Sequence, residues 1–113
     1  MEATAKTLFL RSTARKARLV ADEIRGRKVG DALVLLQHGI KKGVAVDFAK
    51  LLKSAVANLQ NRNPDSALDV DELKIRDIQV GGGPIMKRFR ARAQGRFGRI
   101  LKRMCHLSVT VSN

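Results

Sequence analysis

The arginine and lysine side chains towards the end of the sequence have the clearest capacity for chemistry. Residues 84–113 carry eight basic side chains and no acidic one. Six of the eight are arginine, whose planar guanidinium can hold two phosphate oxygens at once and can stack on a nucleobase. This pattern predicts binding to a phosphate polymer, although a run of like charge is also typical of a solvated, disordered tail. The basic side chains are Lys87, Arg88, Arg90, Arg92, Arg96, Arg99, Lys102 and Arg103.

A second basic set lies near the start of the sequence. Arg11, Arg15 and Arg18 are four and three residues apart, so they would form one ridge on a helix. Arg15 and Lys16 would lie in its first turn, where positive charge opposes the helix dipole unless a phosphate is bound there. The ridge is therefore a candidate RNA-contacting surface, and an ordinary exposed basic face is the alternative. Arg25, near the end of the same helix, is expected to face solvent.

The overall composition favours a polyanion as the partner. The chain of 113 residues has 23 basic and 10 acidic residues, which gives a formal net charge of +13. Hydrophobic residues make up 44%, enough for one modest core, so we expect a single domain over residues 1–113. Phenylalanine is the only aromatic residue type, with four copies, so base stacking is not expected to be the main binding device.

The sequence predicts no membrane partner and a cytoplasmic location. No apolar run approaches the roughly 18 residues of a membrane span. Residues 1–4 have neither the basic start nor the apolar stretch of a secretory signal. The single cysteine, Cys105, excludes an internal disulfide framework and indicates a reducing compartment.

The sequence offers little support for catalysis, and we predict neither an enzyme activity nor a cofactor. Cys105 with His38 and His106 cannot supply a four-ligand zinc site of soft donors. The glycines at 81–83 lack the lysine and the following helix of a phosphate-binding loop. Cys105 is expected to be a packed thiol, and its neighbour His106 should point to the opposite face of a strand.

Three helices are predicted in the first half of the chain. The first begins after Ser12 or Thr13 as N-cap, buries a face at helical spacing, and ends at Gly26. The second spans about residues 30–38, with Leu35 among its inward residues, and residues 41–43 form the next turn. The third has the clearest period and ends at residues 61–64. The predicted inward residues are Ala17, Val20, Ala21 and Ile24; Ala32, Leu35 and Leu36; and Ala45, Phe48, Ala49, Leu52, Ala55, Val56 and Leu59.

Three strands complete the prediction. A short first strand over residues 3–11 would place Ala3, Ala5 and Phe9 on one side. After an acidic loop, a period of two over residues 73–80 predicts a second strand with a bulge at Arg76-Asp77. A third strand alternates over residues 105–111. Pairing of the last two strands around a turn at residues 90–92 would set Val80 opposite about Lys102 and form a ribbon of roughly 30 Å.

Several segments together resemble one family, that of large ribosomal subunit protein twenty-two, of the bacterial type. Residues 11–22 (RSTARKARLVAD) with Ile24-Arg25-Gly26 resemble the first helix of that family. Residues 54–58 (SAVAN) resemble its third helix. The extended hairpin of the family is similar in order and spacing to Gly83-Pro84, Met86-Lys87-Arg88, Arg92-Ala93, Gly95-Arg96, residues 99–103 (RILKR) and His106.

The resemblance implies an α+β fold, with three helices on a small antiparallel three-stranded sheet and a long basic β-hairpin over about residues 81–101. It implies a structural constituent of the large ribosomal subunit that binds large-subunit ribosomal RNA, supports subunit assembly and lines the peptide exit tunnel. The implied partners are this RNA, neighbouring large-subunit proteins including protein four across the tunnel, and the nascent peptide.

The resemblance also implies roles for individual positions. Arg15, Lys16 and Arg18 would meet RNA beside the globular part. The sequence departs from the family at Gly81-Gly82, where an acidic pair is frequent, and at Arg90-Ala91, where Met-Pro is frequent. The implied hairpin tip consists of Met86, Lys87, Arg88, Phe89, Arg90, Ala91, Arg92, Ala93 and Gly95.

Two functional hypotheses follow from the sequence. The first is a ribosomal RNA-binding protein that acts through phosphate neutralisation and shape. The alternative is a free, nonspecific nucleic-acid-binding or regulatory protein that uses the same charge outside a ribosome. Composition does not separate them, and the resemblance favours the first.

Overall fold

The computed structural model describes residues 2–39, 42–63 and 72–113. Its elements in chain order are β1 (Glu2–Leu10), α1 (Ala14–Ile24), α2 (Val29–His38), α3 (Lys42–Arg62), β2 (Lys74–Ala91) and β3 (Phe97–Ser112). The sheet is antiparallel in the order β1-β3-β2, so the last strand of the chain lies in the middle. The predicted α+β class, with three helices and a long hairpin of β2 and β3, is confirmed.

One face of the sheet packs on the helices and forms the hydrophobic core. Alternate residues of β1 and β3 point inward, as the period of two predicts, and on β2 a bulge shifts this alternation after Ile75. Ala3 and Ala5 on β1, Ile75 and Ile78 on β2, and the inward residues of β3 are buried against the helices. The inward residues of β3 are Cys105, Leu107, Val109 and Val111.

The first helix agrees with the sequence prediction residue by residue. Thr13 is the N-cap, and its Oγ1 accepts a hydrogen bond from the Lys16 backbone N–H at 3.3 Å. Gly26 has φ of +80°, the left-handed conformation that glycine adopts after a helix end. All four predicted inward residues of α1 are buried.

The other two helices begin earlier than predicted. Lys42 and Gly43, expected in a turn, belong to the first turn of α3, and α2 starts at Val29. Leu35 was expected in the core but is 38% exposed, because α2 is short and presents Val29, Ala32 and Leu36 inward. Lys41 of the expected turn and most of the acidic loop, residues 64–71, lie outside the described residues.

The β1 strand differs from the prediction near its end. Phe9 was expected inside with Ala3 and Ala5 but is 58% exposed. Its φ is +58°, and the register with β3 shifts between Thr7 and Leu10. The irregularity turns Phe9 out of the core, and Leu10 packs against the core instead. The strand therefore contributes two buried alanines and one partly buried leucine.

Both turn and register of the hairpin were predicted wrongly. The chain reverses at a 3-10 turn over Ala93–Gly95, about three residues beyond the expected turn at 90–92. Val80 consequently pairs with Leu107, and Lys102 pairs with Met86. Gln94 and Gly95 both have positive φ, which produces the reversal without the proline that favours a turn elsewhere.

Two bulges bend β2, one of them at the predicted position. The register shifts between Ile75 and Asp77, which confirms the bulge expected there, and again between Gly82 and Ile85. At the second bulge a β-carbon on Gly83 would lie 3.2 Å from the Met104 backbone, so the two strands approach closely where the hairpin leaves the sheet.

Cys105 and His106 lie on opposite faces of β3, as predicted. Cys105 is fully buried, and desolvation together with the nearby Asp47 carboxylate raises the pKa of its thiol. The His106 Nδ1 accepts a hydrogen bond from the Phe9 backbone N–H at 3.0 Å, and the two rings meet edge to face. Cys105 is thus a core residue, and His106 supports the irregular end of β1.

Candidate nucleic-acid interface

A basic groove lies where the hairpin leaves the body. It runs between the start of α1 and the part of β3 that returns from the hairpin to the body. It comprises two adjoining depressions, the larger of about 690 Å³, that share Thr13, Lys16 and Arg103 in their walls. We call this feature the junction groove. It is lined by Arg11, Ser12, Thr13, Ala14, Arg15, Lys16, Arg18, Leu19, Leu101, Lys102 and Arg103.

The junction groove brings together two parts of the sequence that lie more than eighty residues apart. Lys102 and Arg103 lie on β3 at the base of the hairpin, and the other basic residues of the wall come from the N-terminal set. Arg11 precedes α1 rather than lying on it, since the helix begins at Ala14. Arg11 nevertheless lines the same groove as Lys16. The helix ridge predicted from spacing is therefore one wall of a larger basic surface.

The electrostatics of the junction groove favour an anion. None of its lining residues is acidic, and the first turn of α1 has no acidic residue. The positive end of the helix dipole points into the same region, where the first backbone N–H groups of any helix lack intrahelical acceptors. Charges of one sign around a concave surface strengthen the electric field inside it. A phosphate bound in the groove would therefore reduce the repulsion among the basic side chains that line it.

Arg18 has a second contact besides the groove. Its Nη2 donates to the Val80 backbone oxygen at 3.3 Å, on the outer edge of β2. Arg25 is exposed, as predicted, but its Nη2 also donates to the Ile78 oxygen at 3.2 Å and its Nη1 to Asp22 at 2.8 Å. These two arginines tie α1 to the strand that becomes the hairpin, a role that the sequence did not indicate.

The other predicted RNA-binding residues lie along the hairpin beyond the groove. All six are exposed, and the part of the chain that the structure describes buries no side chain between Gly81 and Arg103. A β-carbon on Gly98 would collide with the Arg92 side chain, so glycine leaves room for Arg92 to cross the end of the ribbon. The six residues are Lys87, Arg88, Arg90, Arg92, Arg96 and Arg99.

The hairpin-tip residues implied by the resemblance are distributed along the hairpin as follows. Met86 to Ala91 lie on the outgoing strand, paired with residues 97–102 of β3. Arg92 precedes the 3-10 turn that contains Ala93 and Gly95, and its backbone N–H donates to the Arg96 oxygen. The reversal itself is therefore formed by residues 92–96.

Two further features of the described residues bear on function. No group of three or more histidine, cysteine, aspartate or glutamate side chains in residues 2–39, 42–63 and 72–113 is arranged to hold a metal ion. Among the same residues, no helix combines the length and apolarity needed to cross a membrane.

Comparison with known families agrees with this geometry. A family model described as ribosomal protein L22p/L17e matches residues 5–112 of the 113-residue chain. The match covers both the body and the whole hairpin, and it confirms the resemblance drawn from the sequence motifs. The chain belongs to this family and is a ribosomal protein of the large subunit.

Proposed function

We propose that this member of the L22p/L17e family binds large-subunit ribosomal RNA through the junction groove and the hairpin. The observation that carries the proposal is the meeting of two distant basic sets in a groove without an acidic lining residue. Phosphate contacts hold the body in place, and the hairpin extends between RNA segments. Shape and charge suffice for this mode of binding, and no base need be recognised by sequence.

The hairpin needs support from outside the chain. A two-stranded ribbon without a third layer is marginally stable in water. Here eight cations lie within residues 84–103 with no acid among them, so their mutual repulsion adds to that marginality. RNA phosphates on either side supply counter-charge and rigid walls. We infer that the body, residues 1–80 and 102–113, anchors a hairpin extension over about residues 81–101.

The family resemblance extends the proposal to the ribosome as a whole. The hairpin lines the peptide exit tunnel, its end faces protein four, and it contacts the nascent peptide. Early RNA binding by the body supports subunit assembly, and the working location is the cytoplasm. The structure is long enough for such a reach, with a longest extent of 66 Å against a shortest of 16 Å. The proposed role is structural and uses no cofactor.

The salt dependence of RNA binding tests the role of the junction groove. We expect Arg15→Ala and Arg103→Ala each to lower the slope of log affinity against log salt by about 0.9, because each removes one phosphate contact. Affinity of the full chain for a large-subunit RNA fragment is measured by fluorescence anisotropy between about 50 and 200 mM salt.

Lys53→Ala is the matched control, since Lys53 is an exposed cation on α3 outside the groove. An equal loss of slope with Lys53→Ala would show that total charge, and not the groove, sets affinity. Competition with duplex DNA separates the two functional hypotheses. A ribosomal RNA fragment should displace labelled RNA at lower concentration than duplex DNA, whereas equal displacement would favour a free, nonspecific nucleic-acid-binding protein.

A further inference from the structure

Two phenylalanines share one face of the hairpin near its end. Phe89 pairs with Arg99, and Phe97 pairs with Ala91, in the antiparallel ladder. Residues directly opposite each other in such a ladder point to the same face, as do residues two apart on one strand. Phe89, Ala91, Phe97 and Arg99 therefore share a face, with the two rings in diagonal positions whose backbones lie roughly 7–8 Å apart.

These two rings are the most exposed large apolar side chains of the described residues. Phe89 is 72% exposed and Phe97 is 78% exposed. They do not contact each other closely enough to form a ring pair in the described part of the chain. Exposure of both rings to water is unfavourable, and a partner that covers them would bury this apolar surface. Their position on the same ribbon face indicates that one partner covers both.

The surroundings of the two rings identify the chemistry of that partner. Arg99 shares their face, Lys87 lies two residues before Phe89 on it, and there is no acidic residue in residues 84–113. A neutral or cationic apolar partner gains nothing from these cations. A polyanion that carries flat apolar surfaces satisfies both the charge and the rings. Unpaired nucleotides have this combination, because each has a phosphate and an aromatic base with two open faces.

We propose that Phe89 and Phe97 each stack on an unpaired base of the RNA that the hairpin binds. The proposal rests on the proposed function, in that it takes the hairpin to lie against RNA. It adds a second mode of recognition to phosphate neutralisation: the cations hold the backbone of a single-stranded segment, and the rings hold its bases. Paired bases, already stacked in a helix, do not bind there.

The absence of tryptophan and tyrosine from the chain permits a direct test. Phe97→Trp gives the full-length protein a single strong fluorophore at the proposed stacking position. The probes are a mixed-sequence single-stranded RNA of about twelve nucleotides and the same strand annealed to its complement. We expect the single strand to quench tryptophan emission strongly and the duplex to quench it little. Val34→Trp, 57% exposed on α2, is the control and should be quenched by neither.

Anisotropy of labelled RNA, recorded on the same samples, reports binding independently of stacking. If RNA binds and Phe97→Trp is not quenched, the stacking proposal is wrong, and a face turned towards a nascent peptide becomes the explanation. If neither RNA binds, the proposed function fails as well. The two failures are therefore distinguishable.

A second pair of variants separates stacking from charge. Phe97→Leu keeps an apolar side chain but removes the aromatic face, so affinity for the single strand should fall at least about fivefold with an unchanged salt slope. Arg99→Gln should lower the slope by about 0.7. In the double variant of Phe97→Trp and Arg99→Gln, the quenching at saturating RNA should persist. An unchanged affinity in Phe97→Leu would overturn the proposal.

Discussion

Strands β2 and β3 run through both the body and the hairpin, but the two regions are stabilised in different ways. In the body, Ile75 and Ile78 on β2 face Val109 and Val111 on β3, and all four are buried beneath the helices. From Gly81 to Arg103 the same ladder of hydrogen bonds continues with no buried side chain. Backbone pairing is therefore enough to continue β2 and β3 into the hairpin. The burial of side chains determines which part of these strands is stable without a partner.

The sheet edges show the same contrast. In the body, helix side chains donate to backbone oxygens on both outer strands, which hides edges that would otherwise pair with other chains. Beyond Val80, the outer edges of the hairpin receive no such donor from the described helices. The strand edges of the body are thus covered from within the chain, whereas the strand edges of the proposed RNA-binding hairpin stay open. The donors are Arg18 on α1, Arg25 directly after its last residue, and Asn58 and Arg62 on α3.

The strongest test of this contrast compares one residue type in both regions. Phe48 in α3 is fully buried, and Phe97 in the hairpin is 78% exposed. We expect Phe48→Ala to lower the free energy of unfolding by about 3–5 kcal/mol and Phe97→Ala to change it by less than about 0.5 kcal/mol. Urea denaturation followed by circular dichroism measures both.

If Phe48→Ala does not fold, a milder pair of substitutions on one strand tests the same contrast. Ile75 is 2% exposed and Ile85 is 44% exposed, both on β2. Ile75→Val should cost about 0.5–1.5 kcal/mol, and Ile85→Val much less. Equal losses in the two regions would mean that the hairpin is part of the cooperative core.

Removing the hairpin should separate stability from binding. Joining Ile85 to Arg103, a native pair, by Asn-Gly deletes residues 86–102 and keeps the register. We expect the variant to unfold cooperatively, with a free energy within about 1 kcal/mol of the full chain, because the deleted segment has no buried side chain. Its RNA affinity should fall, and the salt slope should be lower by about 0.9 for each phosphate that the shortened chain no longer reaches.

A full-length control keeps the hairpin but replaces its arginines by glutamine. It should reproduce the lower salt slope with little change in unfolding. Loss of cooperative unfolding in the deletion variant would contradict the division between body and hairpin.

The smallest expected effect lies at the boundary between the two regions. Arg25→Ala removes the hydrogen bond to the Ile78 oxygen, so the free energy of unfolding should fall by about 0.5–1.5 kcal/mol. The exposed pair with Asp22 adds little to this. Arg15→Ala, on the same helix, should leave stability within about 0.5 kcal/mol, because Arg15 lies in the first turn, where its charge opposes the dipole.

Chemical denaturation of both variants, alongside their RNA affinities, completes this comparison. Arg15→Ala should weaken binding without destabilising the body, and Arg25→Ala should do the reverse. If Arg15→Ala were the more destabilising of the two, the assignment of these arginines to binding and to structure would be wrong.

The features that the sequence predicted well are those set by local spacing. The buried face of α1, the cap at Thr13, the left-handed Gly26 and the bulge after Ile75 depend on neighbours within a few residues. The family could likewise be recognised from the sequence, because its motifs are short and lie at consistent spacing. The match over residues 5–112 bears this out.

The features that the sequence did not predict depend on an alignment between distant segments. The predicted register of the hairpin was wrong because the bulge between Gly82 and Ile85 and the position of the turn together shift every pair. Neither of these two features has a strong local signal in the sequence. Phe9 turns outward only because β1 loses register against β3. The shared face of Phe89 and Phe97 could have been found from the period of two, but their diagonal proximity depends on the turn at residues 93–95, which sets Phe97 opposite Ala91.

By itself, then, the sequence determined the charge of the protein, its family and the inward faces of its helices, since these follow from composition and from contacts within one element. Only the tertiary structure decided that Arg11 and Lys16 meet Lys102 and Arg103 in one groove, and that two phenylalanines are diagonal neighbours on the ribbon. The physical reason is that strand pairing joins segments far apart in the chain, and a shift of one residue moves every side chain to the opposite face.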